Sequence, residues 1–353
     1  MHKKSVTRHG FSGWIHALTG RLIHPTTIHL ILAFIVFLIP VQNPVCAESI
    51  AAPFRISAGL DNGGQFMSIR LLGVLRLVNV SASGIRISEL SDLAWDADEQ
   101  LLYAVSDQGY LLHLQPVFDN DILVDVLLYG KHNLHSSSGT RLQGDDADTE
   151  GLDIINGNNG INGDSELVVS FEVKPRIERY TPHGNYLGSH TLPAKLASIS
   201  NYQSRNKALE SVTIHPQYGI ITAPERPLKN TVDGTFTLYS LQGDTWTYTP
   251  LNPVDSAITS LEMQLDGDIM VLERIYSNRF SSYSVAIREL PLSNQVDQPE
   301  ITTLALFKRD EGFLIDNFEG LSRHTDHRFF MVSDDNNNFF QQTLLMYLEI
   351  TDQ

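Results

Sequence analysis

The chain has 353 residues, with 41 Asp and Glu against 25 Lys and Arg, 13 His and a single Cys. This acidic excess argues against a nucleic-acid partner, because phosphate backbones are held by clustered cations; it suits divalent cations, or simply keeps an exported chain soluble. One cysteine allows neither an internal disulfide nor a thiolate zinc site.

The first 47 residues contain no Asp or Glu, carry Lys3, Lys4, Arg8 and Arg21, and run apolar over 30–39. That pattern predicts a signal peptide. The apolar run is shorter than the roughly 20 residues that span a bilayer, so no stable membrane span is expected after the leader is removed, although 28–41 could act as a marginal anchor. Val45-Cys46-Ala47 fits a small-x-small cleavage pattern, which puts the mature start at Glu48, the folded domain at 48–353 and the protein in the periplasm or outside the cell. A lipidated Cys46 is disfavoured by Val45, where a small residue is required. Removing the leader leaves 41 acids against 21 Lys and Arg.

Residues 54–57 and 66–78 read as strands around an Asp61-Asn62-Gly63-Gly64 turn. Five copies of one grammar follow, each a strand opened by an acid, a polar turn, and a second strand closed by an acid. Aligning the opening acids Asp92, Glu150, Glu210, Glu262 and Glu319 gives steps of 58, 60, 52 and 57 residues. Repeats of this size, built of short strands, predict an all-β propeller; solenoid repeats are usually shorter, about 20 to 45 residues. Five visible repeats plus the leading strands make five or six blades of about four antiparallel strands. The segment 73–78 is the expected partner of the C-terminal strand, closing the ring without an open edge. The polar runs 132–148, 156–164 and 201–206 are loops.

The closing acids are Asp107, Glu172, Glu225, Glu273 and Asp334. An antiparallel hairpin brings its two ends together, so both sets are expected at one mouth of the central channel. A carboxylate-rich ring suits Ca²⁺, which takes six to eight oxygens, with Glu150, Glu210, Glu262 and Glu319 as ligands. Arg176, Arg226 and Arg274 would hold anionic oxygens of a substrate. The same arginines could instead neutralise the acids as a structural Glu–Arg network, and the two readings stay open here. No G-x-S-x-G string offers a nucleophilic serine; His215 and His324 read as turn residues opposite the acids, Trp95 and Trp246 as blade packing, and His132 and His135 as general-base candidates.

Several of these strings are similar to the phytase-like family described by an esterase-like activity: Glu150-Gly151-Leu152, Glu319-Gly320-Leu321, VSFEVKPRIERY at 169–180, VLERIYS at 271–277 and VSDDNNN at 332–338. The resemblance spans about 90–350 and implies a propeller, six-bladed rather than five, with metal-assisted hydrolysis of a phosphoester or ester. The dense aspartates and several lysines of calcium phytases have no counterpart that maps onto this sequence. The expected partner is a small anionic or ester substrate, and the chain is expected to be a monomer. A non-catalytic binding propeller and a lactonase-type propeller with one central calcium are the alternatives.

Overall fold

The structure, a computed structural model, describes residues 47–232, 234–276, 283–292 and 300–351; the leader, its cleavage motif and Cys46 lie outside the described residues except for Ala47. Runs of Val, Ile, Leu and aromatic residues broken by Gly, Asn and Asp turns pair antiparallel into five sheets, so the ring has five blades, not the six implied by family resemblance. Blade 1 starts innermost with Leu90–Asp96 and continues through Leu101–Ser106, Tyr110–Asp119 and Ile122–Asn133. Blade 2 runs Thr149–Ile155, Glu166–Phe171, Arg176–Tyr180 and Tyr186–His190; blade 3 runs Leu209–His215, Gly219–Pro224, Phe236–Ser240 and Thr245–Tyr248. Blade 4 runs Ser256–Met263, Ile269–Tyr276, Tyr283–Leu290 and Thr302–Lys308. Blade 5 takes Asn317–Arg323, Arg328–Asp334 and Leu344–Ile350 from the C-terminus, then Ile69–Leu77 and Ala51–Pro53 from the N-terminal side.

The ring closes as the sequence predicted: Leu345 faces Leu75 and Tyr347 faces Gly73 across the joint. Residues 54–57 are not a strand, and Ser57 makes only an isolated bridge to Leu60. The leading chain is used more fully than expected, because Glu48–Ser49 pairs with the outer strand of blade 1 while Ala51–Pro53 pairs in blade 5. It therefore staples the first and last blades together.

The cores lie between blades. One cluster joins blades 1 and 2 through Val105, Leu111, Leu152 and Val169; another joins blades 3 and 4 through Ile221, Trp246, Leu261 and Val271. Trp95 packs with Phe330, Leu345 and Tyr347 between blades 1 and 5. Each sheet buries its faces only against its neighbours, so no blade has a core of its own.

Every inner strand carries a register shift near its start: between Leu90 and Asp92, Leu209 and Ser211, Ile258 and Ser260, Phe318 and Gly320, and, read on its partner, between Val169 and Phe171. A bulge adds one residue and re-aims its side chain. The residues it singles out are Ser91, Glu150, Glu210, Thr259 and Glu319. One step further along the strand come Asp92, Gly151, Ser211, Ser260 and Gly320. Glycine at two of these positions is enforced by close approach: a Cβ on Gly151 would lie 2.5 Å from the Val212 nitrogen, and one on Gly320 would lie 2.7 Å from the Asp92 Cα. The Glu-Gly-Leu string is thus one mouth-facing acid, one point where the neighbouring inner strand presses in, and one core residue.

Candidate active site at the channel mouth

Three of the five opening acids meet as expected. Glu150, Glu210 and Glu319 occupy the bulge positions of blades 2, 3 and 5, and blades 1 and 4 offer Ser91 and Thr259 instead. Asp92, one residue past its bulge, is fully buried on the channel axis. Its Oδ1 accepts from Leu93 N at 2.9 Å, Leu321 N at 3.0 Å and Ser260 Oγ at 3.1 Å, while Oδ2 accepts from Leu152 N at 2.8 Å. Burial raises its pKa and those four donors oppose the rise. Because its partners come from blades 1, 2, 4 and 5, Asp92 plugs the channel rather than lining its mouth.

Glu262 also departs from the expected ring. It lies three residues past the bulge, beyond the plug and towards the opposite face, where it borders a cavity with Asp153, Arg323 and Trp95. The expected metal ligand of blade 4 is therefore not with the others. Its neighbours there are Asp153, which adds to the rise of its pKa that burial dominates, and Arg323, whose Nε is 3.9 Å away.

The closing acids need one correction. Ser106, Phe171, Pro224, Glu273 and Ser333 sit at equivalent ladder positions. Asp107, Glu172, Glu225 and Asp334 follow four of them, and in blade 4 the following residue is Arg274. Glu273 is fully buried inside its blade, where it accepts from Arg288 Nη1 at 2.9 Å, Ser256 Oγ at 2.5 Å and Leu251 N at 2.7 Å. The second ring is thus four carboxylates and one guanidinium.

Arg274 is the one central cation of the mouth among the described residues. It donates to Glu319 at 2.6 Å, Glu225 at 2.8 Å and the Asn317 side-chain oxygen at 2.5 Å, linking blades 3, 4 and 5. Lys207 adds a second contact to Glu225 at 2.9 Å. Arg226 donates to the carbonyls of Val254 and Asp255, at 2.8 and 3.2 Å. Arg176 is elsewhere: it lies over the Phe171 ring and pairs with Glu178 at 3.2 Å on the outer part of blade 2, so it borders a different cavity from Arg226 and Arg274. His132 stacks between His113 and His183, with ring centroids at 4.3 and 4.8 Å; His135 makes an isolated bridge with Arg141. His215 caps its hairpin turn by accepting from Gln217 N and Tyr218 N, and His324 packs against Trp95.

From Glu225 round to Asp148 the acids are crowded. Oxygens of Glu172, Glu210 and Glu225 come within 4.8 Å of one another, and so do those of Asp148, Glu150 and Glu172. Glu210 is only 6% exposed, yet its carboxylate accepts no hydrogen bond among the described residues. Burial, then the Glu225 and Glu172 charges, push its pKa well up; burial and Glu210 do the same to Glu150. Glu172 is raised to about 8 by burial, against a hydrogen bond from Ala208 N. Asp107 is raised to about 7 by burial and Glu89, and Asp334 to about 9 by burial and Glu319. Such a cluster keeps protons or takes a cation.

Beside Arg274 the mouth opens into a cavity of about 470 Å³, lined among others by Lys207, Arg226, Tyr276, Tyr283, Arg309 and Phe340. Of these, sequence reasoning found Arg226 alone. Lys207 could have been noticed directly before Ala208-Leu209-Glu210, and Phe340 as an aromatic pair with Phe339 in an otherwise polar loop.

Among solved structures, the crystal structure of the Myceliophteria thermophila Cps50 (Swd1) β-propeller domain is similar at 10% identity and a TM-score of 0.36, over 86% of this chain and 100% of that one. A search of curated proteins returns no match. The profile of the phytase-like family, described as esterase-like activity of phytase, matches residues 85–337. That match covers well over half of the sequence and spans the bulges and strand ends that build the mouth. The chain belongs to the phytase-like family.

Proposed function

We propose that the mouth binds a divalent cation, Ca²⁺ by its donor chemistry, and hydrolyses a phosphoester or ester held in the adjoining cavity. The observation that carries this reading is Glu210, a buried carboxylate that accepts no hydrogen bond among the described residues, facing Glu172 and Glu225. The donors are hard carboxylate oxygens, which Ca²⁺ prefers, and the four that fit it are Glu150, Glu172, Glu210 and Glu225. A bound cation would supply polarisation of the scissile oxygen and a more acidic water. The protein's own groups do the rest. Arg226 and Arg274 orient the anionic group, and Asp107, with a pKa near 7, has an acidity suited to exchanging a proton at neutral pH.

One observation favours a second reading on part of the ring. Arg274 already pairs with Glu225 and Glu319, so that half is a Glu–Arg network, and a non-catalytic binding propeller could be built on it. Glu150 and Glu210 have no ion pair among the described residues, which is what favours the cation. The test is melting in EDTA and in millimolar calcium, with hydrolysis of an aryl phosphate and an aryl acetate followed in parallel. A cation binding the native state alone at a hundredfold excess over Kd adds about 2.7 kcal/mol, and Glu210→Gln with Glu172→Gln should remove both that shift and the activity. Identical melting in both buffers sinks the cation; a shift without turnover leaves the binding propeller. Export is part of the same proposal: cleavage after Ala47 would begin the chain at Glu48, the first residue of the first described strand, and an N-terminal mass on exported material checks it.

A further inference from the structure

The cavity beside Arg274 has features that anion binding alone does not require. Its wall from blades 4 and 5 is aromatic, since Tyr276, Tyr283 and Phe340 line the same space as Arg226 and Arg274. Phe339 and Phe340 are 93% and 87% exposed, more than the other large apolar side chains among the described residues. They meet edge to face at 5.7 Å. Rings left in water without cover are unfavourable, and these two are not on a slack loop. Asp335, fully buried, accepts from Glu89 N at 3.0 Å, Asn337 N at 3.1 Å and Asn79 Nδ2 at 3.1 Å. Asp316 fixes the other end by accepting from Gln342 N at 2.9 Å and Gln341 Nε2 at 3.3 Å. Between these anchors Asn336 and Asn337 adopt φ of 47° and 48°, left-handed values that Asn tolerates. The loop therefore holds the rings out over the rim.

Charge narrows the occupant further. Of the cations on the cavity, Lys207 and Arg274 are paired with Glu225, and Arg309 lies 3.6 Å from Asp316. Arg226 donates to carbonyls, and it makes no ion pair among the described residues. Among the described residues, one guanidinium without an ion pair, Arg226, thus stands beside a mouth rich in carboxylates. A densely phosphorylated polyol would be repelled there, whereas one anionic or polarised group can be held while an apolar body lies along the aromatic wall. We infer that this mouth takes esters carrying a single reacting phosphoryl or acyl group on an aromatic body, with Phe340 as a specificity residue, and rejects polyphosphorylated polyols. This rests on the hydrolytic reading above and names its substrate class.

The test uses calorimetric titration of the mature chain in millimolar calcium with phenylphosphonate, methylphosphonate and inositol hexasulfate. Phenylphosphonate should bind about tenfold more tightly than methylphosphonate, equivalent to about 1.4 kcal/mol, and the hexasulfate should bind more weakly than either. Phe340→Ser should bring the two phosphonates level without altering methylphosphonate binding; the site is exposed, and an unchanged melting temperature would show that the fold persists. Equal affinities in the parent, a preference surviving Phe340→Ser, or tight hexasulfate binding overturns the inference, while a calcium-dependent melting shift together with turnover of the aryl esters leaves the hydrolytic reading standing. Absence of phosphonate binding overturns it as well, and together with absence of the calcium shift it removes the hydrolytic reading too.

Discussion

At the scale of single residues, Asp92 shows how a carboxyl group can be built into the axis of a ring. Four donors from four blades converge on it, and its removal leaves the amides of Leu152 and Leu321 buried without acceptors. Losing one partner of a buried, charged network typically costs about 3–5 kcal/mol, so Asp92→Ala should lower unfolding stability by that amount in urea, with no loss of the calcium response expected of Glu210. A loss under about 1 kcal/mol would mean that water replaces the carboxylate and that the plug is not structural. This residue was visible in the sequence but given the wrong job. Acids were aligned with acids, and a serine at the bulge of blade 1 and a threonine at that of blade 4 shifted the match by one and by three residues. The similar strings Pro224-Glu225-Arg226 and Leu272-Glu273-Arg274 misled in the same way, since the ladder sets Glu225 level with Arg274. The core residues Leu93, Leu152, Val212, Leu261 and Leu321, each two past the bulge, would have given the true register.

Among the elements, the inner strands carry the strongest constraint. An added methyl at Gly151 would meet the Val212 nitrogen at 2.5 Å and Ser170 Oγ at 2.7 Å; the first of these is backbone, so the contact is relieved only by moving blade 3. Overpacking of this kind costs about 1–3 kcal/mol. Gly151→Ala should therefore destabilise and, by shifting Glu150 and Glu210 apart, weaken the calcium-dependent melting shift as well, whereas Gly160→Ala, with open space around its Cβ position but a positive φ, should destabilise without touching that shift. If both variants behave alike at the mouth, the close approach does not position the acids. The repeat period and the closing strand were legible because they depend on strand-forming runs and turns. The bulges were not, because a bulge is a ladder irregularity with no composition of its own. Nor was the staple at Glu48–Ser49, two residues too short to read as a strand.

For the whole molecule, the closed ring makes stability and mouth chemistry one problem. Five interblade cores and no separate blade core predict that deleting the Leu344–Ile350 strand abolishes cooperative melting, since it pairs with strands from both ends of the chain. The mouth then sets how that cooperative unit responds to pH. Asp107, Glu172 and Asp334 have folded pKa values of about 7, 8 and 9, with burial the leading cause in each, whereas unfolded Asp and Glu titrate near about 4. Between those limits the folded state binds more protons than the unfolded one, so stability falls as pH rises. Without divalent cation the melting temperature should be highest near pH 5 and should drop steadily towards pH 9. A cation competes with those protons, so its stabilisation should grow over the same window, and binding at pH 7 should release protons, seen as a binding heat that varies linearly with buffer ionisation enthalpy in calorimetry. Glu172→Gln with Glu210→Gln should make the EDTA profile shallower, leaving the part carried by Asp107 and Asp334, and should remove the proton release. A flat profile in EDTA, or a calcium shift larger at pH 5 than at pH 9, would mean that the carboxylates are already ionised and neutralised within the ring by Arg274 and Lys207.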